Sequence, residues 1–389
     1  MFNIRLYSCL ILVSFFAACG TSNNTKNEGA ETIDLQQTDY TFFEDSLNIE
    51  FAKNFEISKH SNFKKLVLHS RLNNKHEVSE YYLVKRGTPY PKGVHSSKVI
   101  EVPVRKVVAL SNTHVGMLDR LRGLSALKGV DAHDYIPDRT IRTKIESGEI
   151  KEVGAYSKLN EELILAMKPD VVLYDDMGQD ETYPALKSQG ICLLPISSWQ
   201  EETPLGRTEW LKVMALLLDK PERATLAFDR TRENYFSWKS FADTLDRSVN
   251  VICGLPYKGV WHMAGGKSFT AQFIEAAGGN FMFKENDVVA AVPVDFEVVF
   301  KKAQQSQVWL NVGPVKTKEE LVDLDERYAL FPPYSLNRIY NNNGLEIDGV
   351  NAFWYTGYLN PDLVLKDLIK IIHPEAFSDS TLVYYRPIN

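Results

Sequence analysis

Between two runs of alternating strands and helices, residues Asp219 to about Leu245 read as one unbroken helix, and this stretch constrains the fold more than any other. It opens on Asp219-Lys220-Pro221-Glu222, an acceptor side chain at the cap with a glutamate three residues on. Ala224, Ala227, Thr231, Tyr235, Trp238, Phe241 and Leu245 then recur at three-to-four-residue spacing, with no glycine or proline between them. At 1.5 Å per residue the helix is on the order of 35 Å long, enough to cross between two lobes as a stiff strut.

The flanks supply the lobes. From Arg105 to about Leu218, VVAL, ALKGV, DVVLYDD and ICLLPI read as strands and TEWLKVMALLL as a helix. Beyond the long helix come strands VNVICGL, VWHMA and VWLNV with helices FTAQFIEAAGG and PDLVLKDLIKIIHP. Such alternation predicts parallel, helix-covered sheets. Two α/β lobes joined by one helix predict a ligand cleft between them. Before them, KKLVLHSRL and HEVSEYYLVKRG read as a hairpin turning at Asn73-Asn74, within a β-rich extension spanning 32–104. The expected segments are thus 1–18, 19–31, 32–104, 105–218, 219–246 and 247–389.

The first two segments concern export. Arg5, the apolar run from Leu6 to Phe16, and Phe16-Ala17-Ala18-Cys19 have the three regions of an export signal. The run is too short to span a bilayer as a mature helix. Small residues before a cysteine resemble a bacterial lipobox, with Phe16 in place of the usual leucine. Cys19 is therefore expected to be cleaved free and acylated, with GTSNNTKNEG as a tether. An ordinary secretory signal with an incidental cysteine is the alternative. The stretch after Cys19 has no acidic run of the kind a surface-export signal would carry, so the inner leaflet of an outer membrane, facing the periplasm, is the expected location.

Composition excludes some partners and supports no chemistry. At 44% hydrophobic and 24% charged, with a net charge of -6, the chain has the make-up of a globular protein and no basic run suited to nucleic acid. Cys192 and Cys253 sit in apolar runs and are expected as buried free thiols. VWHMAGGKS ends like a phosphate-binding loop, but Trp261 occupies the position of its first glycine, where an indole blocks the backbone's approach to a phosphate. No HExxH, paired CxxC or GxSxG is present.

Five segments in order carry a family resemblance: VVALSNTHVGMLDRL, EVGAYSKLNEELILAMKPDVVLYDD, AGGKSFTAQFIEAAGGNFMF, DFEVVFKKAQQSQVWLNVG and PDLVLKDLIKIIHPEAF. Together they resemble the class III substrate-binding proteins of ABC importers for iron complexes and vitamin B12, from about Val107 to Pro374. The resemblance implies an α/β fold of two Rossmann-like α/β lobes joined by one long interdomain helix, here with an extra N-terminal β-rich segment. It implies a non-catalytic, monomeric receptor with no cofactor, whose partners are ABC permease and ATPase subunits. The expected ligand is a ferric siderophore or haem, with a corrinoid as the alternative. A surface scavenger serving an outer-membrane receptor, or a metal-dependent or hydrolytic enzyme on the same scaffold, would be different readings.

Large chelates with apolar faces and polar edges need aromatic planes and a few hydrogen-bonding groups. Loops expected to face the cleft offer Ser111, Asn112, His114, Tyr156, Asp175, Asp176 and Trp199 from the first lobe, and Tyr257, Trp261, His262, Lys267, Phe353, Trp354 and Tyr358 from the second. By resemblance, Tyr156 sits where cobalamin-binding relatives place a stacking aromatic. His114 and His262 could ligate a metal through imidazole nitrogen, against the ordinary alternative of an exposed or hydrogen-bonded histidine. Glu162 and Glu297 match positions where the family carries one exposed carboxylate per lobe to pair with permease arginines; Glu161 competes with Glu162.

Overall fold

The computed structural model describes residues 32–33, 47–72, 75–154, 158–177 and 183–389. Cys19, the export signal, the tether, Tyr156 and the Asn73-Asn74 turn lie outside the described residues.

The first lobe is a five-stranded parallel sheet, ordered Leu193–Pro195, Val171–Tyr174, Val107–Ala109, Leu127–Val130 and Lys151–Glu152. Helices Asn112–Arg120 and Leu211–Leu218 share a hydrophobic core with it. The second lobe orders Asn280–Phe281, Asn250–Cys253, Val308–Leu310 and Ile339–Asn341 in parallel, with Arg386–Pro387 antiparallel at one edge. Val260–Met263, expected among the parallel strands of the second lobe, packs Trp261 and Met263 into that lobe's core but lies in a separate antiparallel sheet between Pro256–Tyr257 and Val292–Val294.

The long helix runs Pro221–Ala242, 22 residues. Its buried stripe is Ala224, Phe228, Thr231, Tyr235 and Ala242. Ala224 packs into the first lobe's core and Tyr235 and Ala242 into the second's, so one apolar face serves both lobes.

A four-stranded sheet, Phe55–Lys59, Phe63–Leu72, Lys75–Lys85 and Val99–Val102, covers the first lobe. Phe55, Leu66, Leu68, Leu83 and Ile100 pack into the same core as Val107, Met117 and Leu218. This explains TEWLKVMALLL, which has no polar face. The stretch divides into Pro204–Glu209 and Leu211–Leu218, and every residue of the second helix is buried because the added sheet covers the side that would otherwise meet solvent. Trp210 meets Phe55 edge-on at 5.1 Å.

Two buried glutamates pin the irregular segment 50–54 that leads into that sheet. The Glu209 carboxylate, 0% exposed, accepts the backbone N–H groups of Glu50, Phe51 and Ala52 at 2.7–3.0 Å and Lys212 Nζ at 2.7 Å. Glu201 accepts the N–H groups of Lys53 and Asn54 and the Trp210 indole.

The lobes also touch directly. Helix Asn112–Arg120 crosses the short helix Phe353–Thr356 so closely that a Cβ at Gly116 would lie 2.0 Å from the Tyr355 carbonyl oxygen. Thr113 Oγ1 donates to the Trp354 carbonyl at 3.2 Å, the Tyr358 hydroxyl donates to the Thr113 carbonyl, and Thr208 Oγ1 donates to the Tyr358 carbonyl at 2.8 Å. Farther out, Arg142 pairs with Asp348 at 2.7 Å, tying a helix of the first lobe to a turn of the second.

Candidate functional site

Strands Asn250–Cys253 and Val308–Leu310 run parallel and end side by side, each followed by a residue of positive φ: Gly254 at 81° and Asn311 at 58°. The chain thus turns away at the carboxyl ends of the strands, where open α/β sheets leave their ligand crevice. Gly254 and Asn311 line a cavity of ≈ 520 Å³, bounded across the interlobe space by Trp199 and Arg207 and on the second lobe by His262, Phe269 and Trp354. That volume lies within the range of small-molecule sites, ~300–1,000 Å³.

Trp199 enters from the Ser198–Gln200 turn just after the first lobe's edge strand, with its buried indole N–H unpartnered. Trp354, 40% exposed, is the outward residue of a short helix whose neighbours Phe353 and Tyr355 are buried. The AGGKS turn shapes the rim. A Cβ on Gly265 would meet the Val288 carbonyl oxygen at 2.1 Å, and one on Gly266 the Asn286 carbonyl oxygen at 2.2 Å. These glycines answer to a close backbone approach, and no phosphate is needed to explain them. The turn's amides are already used: Gly266 N–H donates to Asn286 Oδ1, Lys267 N–H to the Val288 carbonyl and Ser268 N–H to the Gly265 carbonyl. Ser268 caps the helix Phe269–Ala276 by accepting from Ala271 N–H.

Of the cleft residues singled out from sequence, Trp199, His262 and Trp354 line this cavity, and the ten other described ones do not. Trp261, expected at the cleft, is 0% exposed, packed against Trp309, Tyr328 and Phe331, with its indole donating to the Cys253 carbonyl at 3.1 Å. Successive strand residues face opposite sides, so with Trp261 and Met263 inward, His262 must face out. Phe353 and Tyr358 are buried in the cores, Tyr257 is exposed beneath Lys258, and Lys267 pairs with Asp287 at 3.0 Å. Asn112 spends its amide on the Tyr135 carbonyl at 2.7 Å. His114 is fully buried with Nε2 3.4 Å from Asp175 of its own lobe, while Thr113 beside it bonds the Trp354 carbonyl across the lobes. Asp176 accepts from Ser70 and lines a second cavity of ≈ 330 Å³ between the N-terminal sheet and the first lobe. Cys192 and Cys253 are buried and free, and burial pushes each thiol up to about 12.

The main residue missed was Arg207. It sits in helix Pro204–Glu209, 6% exposed, with its guanidinium carbon 4.8 Å from the Phe269 ring centroid and 5.6 Å from those of Trp354 and Tyr358. Burial pulls its pKa below the ordinary value, against the opposing influence of Tyr358 and Asp175. Burial alone would raise Asp175, but the neighbouring His114, Ser111 and Arg207 side chains hold its carboxyl below the usual range. In the sequence, Glu201, Arg207, Glu209 and Lys212 crowd into and just before an apolar helix. Charges in a run that must be buried were the available signal.

Glu162 and Glu297 are exposed, each in the first turn of a helix, Glu161–Met167 and Phe296–Ala303. Glu161 accepts the Leu186 N–H at 2.9 Å and is thereby committed to its own lobe.

Residues 107–341, more than half of the chain, match the model of the family described as periplasmic binding protein, and the chain belongs to that family. Its members bind solutes for transporters and are not enzymes. An uncharacterised lipoprotein of Methanocaldococcus jannaschii is 24% identical over 304 residues, 75% of this chain and 70% of that one. A possible iron-binding, periplasmic solute-binding protein of Staphylococcus epidermidis superposes with a TM-score of 0.54 at 19% identity, covering 70% of this chain and 99% of that one. A periplasmic haem-binding protein of Pseudomonas aeruginosa gives 0.55 at 16% identity, covering 74% and 98%. The solved folds are matched nearly whole while 70–74% of this chain is covered, and the sheet of Phe55–Val102 lies outside the family match.

Proposed function

We propose that the protein captures an iron complex, a ferric siderophore or haem, in the interlobe cavity and hands it to the permease and ATPase subunits of an ABC importer. It would do so outside the cytoplasm, anchored through acylated Cys19. The observation that carries this reading is the cavity itself: aromatic planes from both lobes, Trp199, Phe269 and Trp354, face one space with Arg207 and His262 at its polar positions. Flat or knobbed chelates with apolar faces and polar edges suit such walls. The iron and haem receptors among similar folds support the ligand class. Glu162 and Glu297 are the proposed permease contacts, and exposed charges of this kind set orientation and encounter rate.

The test is crossed. Reversing the charge of Glu162 and Glu297 together should abolish uptake in cells while calorimetry on the purified protein finds ligand affinity unchanged. Normal uptake by that double variant would rule out delivery through these carboxylates. Titration with haemin, a ferric siderophore and cyanocobalamin reads the ligand class, and saturable binding of the corrinoid alone would replace the iron reading. Cys19→Ala should free the protein from the membrane fraction or leave it uncleaved; unchanged palmitate labelling would reject the anchor.

A further inference from the structure

A buried guanidinium normally has a carboxylate beside it, because leaving the charge unpaired away from water is expensive. Arg207 has none: among the described residues no carboxylate comes within 4 Å of it, and its buried Nε has no hydrogen-bond partner. The acids near it are committed elsewhere. Glu201 and Glu209, on the same stretch, accept from the 50–54 segment, and Asp175 lies 3.4 Å from His114. Three rings surround the cation, and two of them, Phe269 and Trp354, line the cavity with it. The one side left to complete its coordination is the cavity.

We propose that Arg207 is the specificity-determining residue of the cleft: the ligand brings an oxyanion edge, a carboxylate or catecholate, that pairs with this guanidinium while its apolar body rests against Trp354 and Phe269. This rests on the cavity being the ligand site and adds the charge of the ligand to that reading. The same arginine would discriminate against neutral chelates of similar shape, since binding one would bury the charge still unpaired.

Two matched pairs test it by tryptophan-fluorescence titration: haemin against haemin dimethyl ester, and a ferric tricatecholate against a neutral ferric trihydroxamate. The anionic member of a bound pair should bind roughly tenfold to a hundredfold more tightly, the worth of a hydrogen bond to a charged group. Arg207→Gln should bring that ratio close to one. A ratio near one in the wild type, or one that survives the substitution, overturns the proposal.

A second arm needs no chelate. Citrate should raise the melting temperature of the wild type and fail to raise that of Arg207→Gln, even if no iron complex binds; that outcome would retain the anion site and reject the iron reading. Citrate stabilising neither protein, or both equally, counts against the proposal. So does an Arg207→Gln variant that melts well below the wild type yet keeps the anionic preference, which would make the arginine a clip between the lobes.

Discussion

Glu209 and Arg207 lie two residues apart on one short helix, both buried, and their surroundings are opposite. The carboxylate has four donors, three backbone amides and an ammonium, and is fully used in holding the segment 50–52 to the first lobe. The guanidinium has three aromatic rings and, among the described residues, no hydrogen-bond acceptor. A buried charge whose partners are all in the chain serves the fold, whereas one whose partner is missing at the wall of a cavity is, on the proposed reading, left for the ligand.

The comparison makes a paired prediction with the largest expected effect. Glu209→Ala leaves Lys212 buried beside three unpaired amides and should destabilise by about 3–5 kcal/mol in denaturant unfolding. Arg207→Met, of similar length and apolar, should leave the unliganded protein as stable as before or more so. The contrast collapses if both substitutions lower stability alike.

Two tryptophans sharpen it next. Trp261→Ala removes a fully buried ring and should cost about 3–5 kcal/mol of stability. Trp354→Ala should spare stability and lose roughly 1–3 kcal/mol of ligand affinity, by analogy with stacked bases. Normal ligand binding by Trp354→Ala would move the site elsewhere, the cavity under the N-terminal sheet being the next place to look.

Glu201 gives a smaller, pH-dependent effect. Burial raises its carboxyl pKa, against the hydrogen bonds from Lys53, Trp210 and Asn54. A raised pKa means the folded state holds its proton more tightly than the unfolded state. This contribution is therefore fully present below the unfolded value, near 4.5, and is lost as pH rises through the folded value. Melting temperature against pH should lose this component in Glu201→Gln; an identical profile in both proteins would remove Glu201 from the linkage. The smallest expected change concerns motion. Because the lobes touch at Gly116 and share hydroxyl bonds near it, scattering curves with and without ligand should nearly coincide, and a radius of gyration shifted by several ångströms would contradict that.

Most of the architecture was legible in sequence because it rests on periodicity: the uninterrupted helix from Pro221 and the β-branched strands such as VVAL and DVVLYDD. The position of VWHMA was not, since alternation identifies a strand without naming its sheet. Site residues were harder for the same reason. A tryptophan beside a predicted turn can face either way, and only pairing fixed Trp261 inward and His262 outward. The SNTH loop resembled a ligand loop, yet the close crossing at Gly116 brings it against Phe353–Thr356. Arg207 went unread because it lies one residue before TEWLKVMALLL, the stretch that reads as a helix, and the charges at that helix's entrance were the informative part.

The most direct measurement is a crystal structure of the protein carrying a chelate it binds. The cavity between Trp199 and Trp354 should hold the ligand, with an oxyanion about 3 Å from the Arg207 guanidinium. A ligand seated outside that cavity, or one within it that turns an apolar face to Arg207 and leaves the guanidinium unpaired, would contradict it.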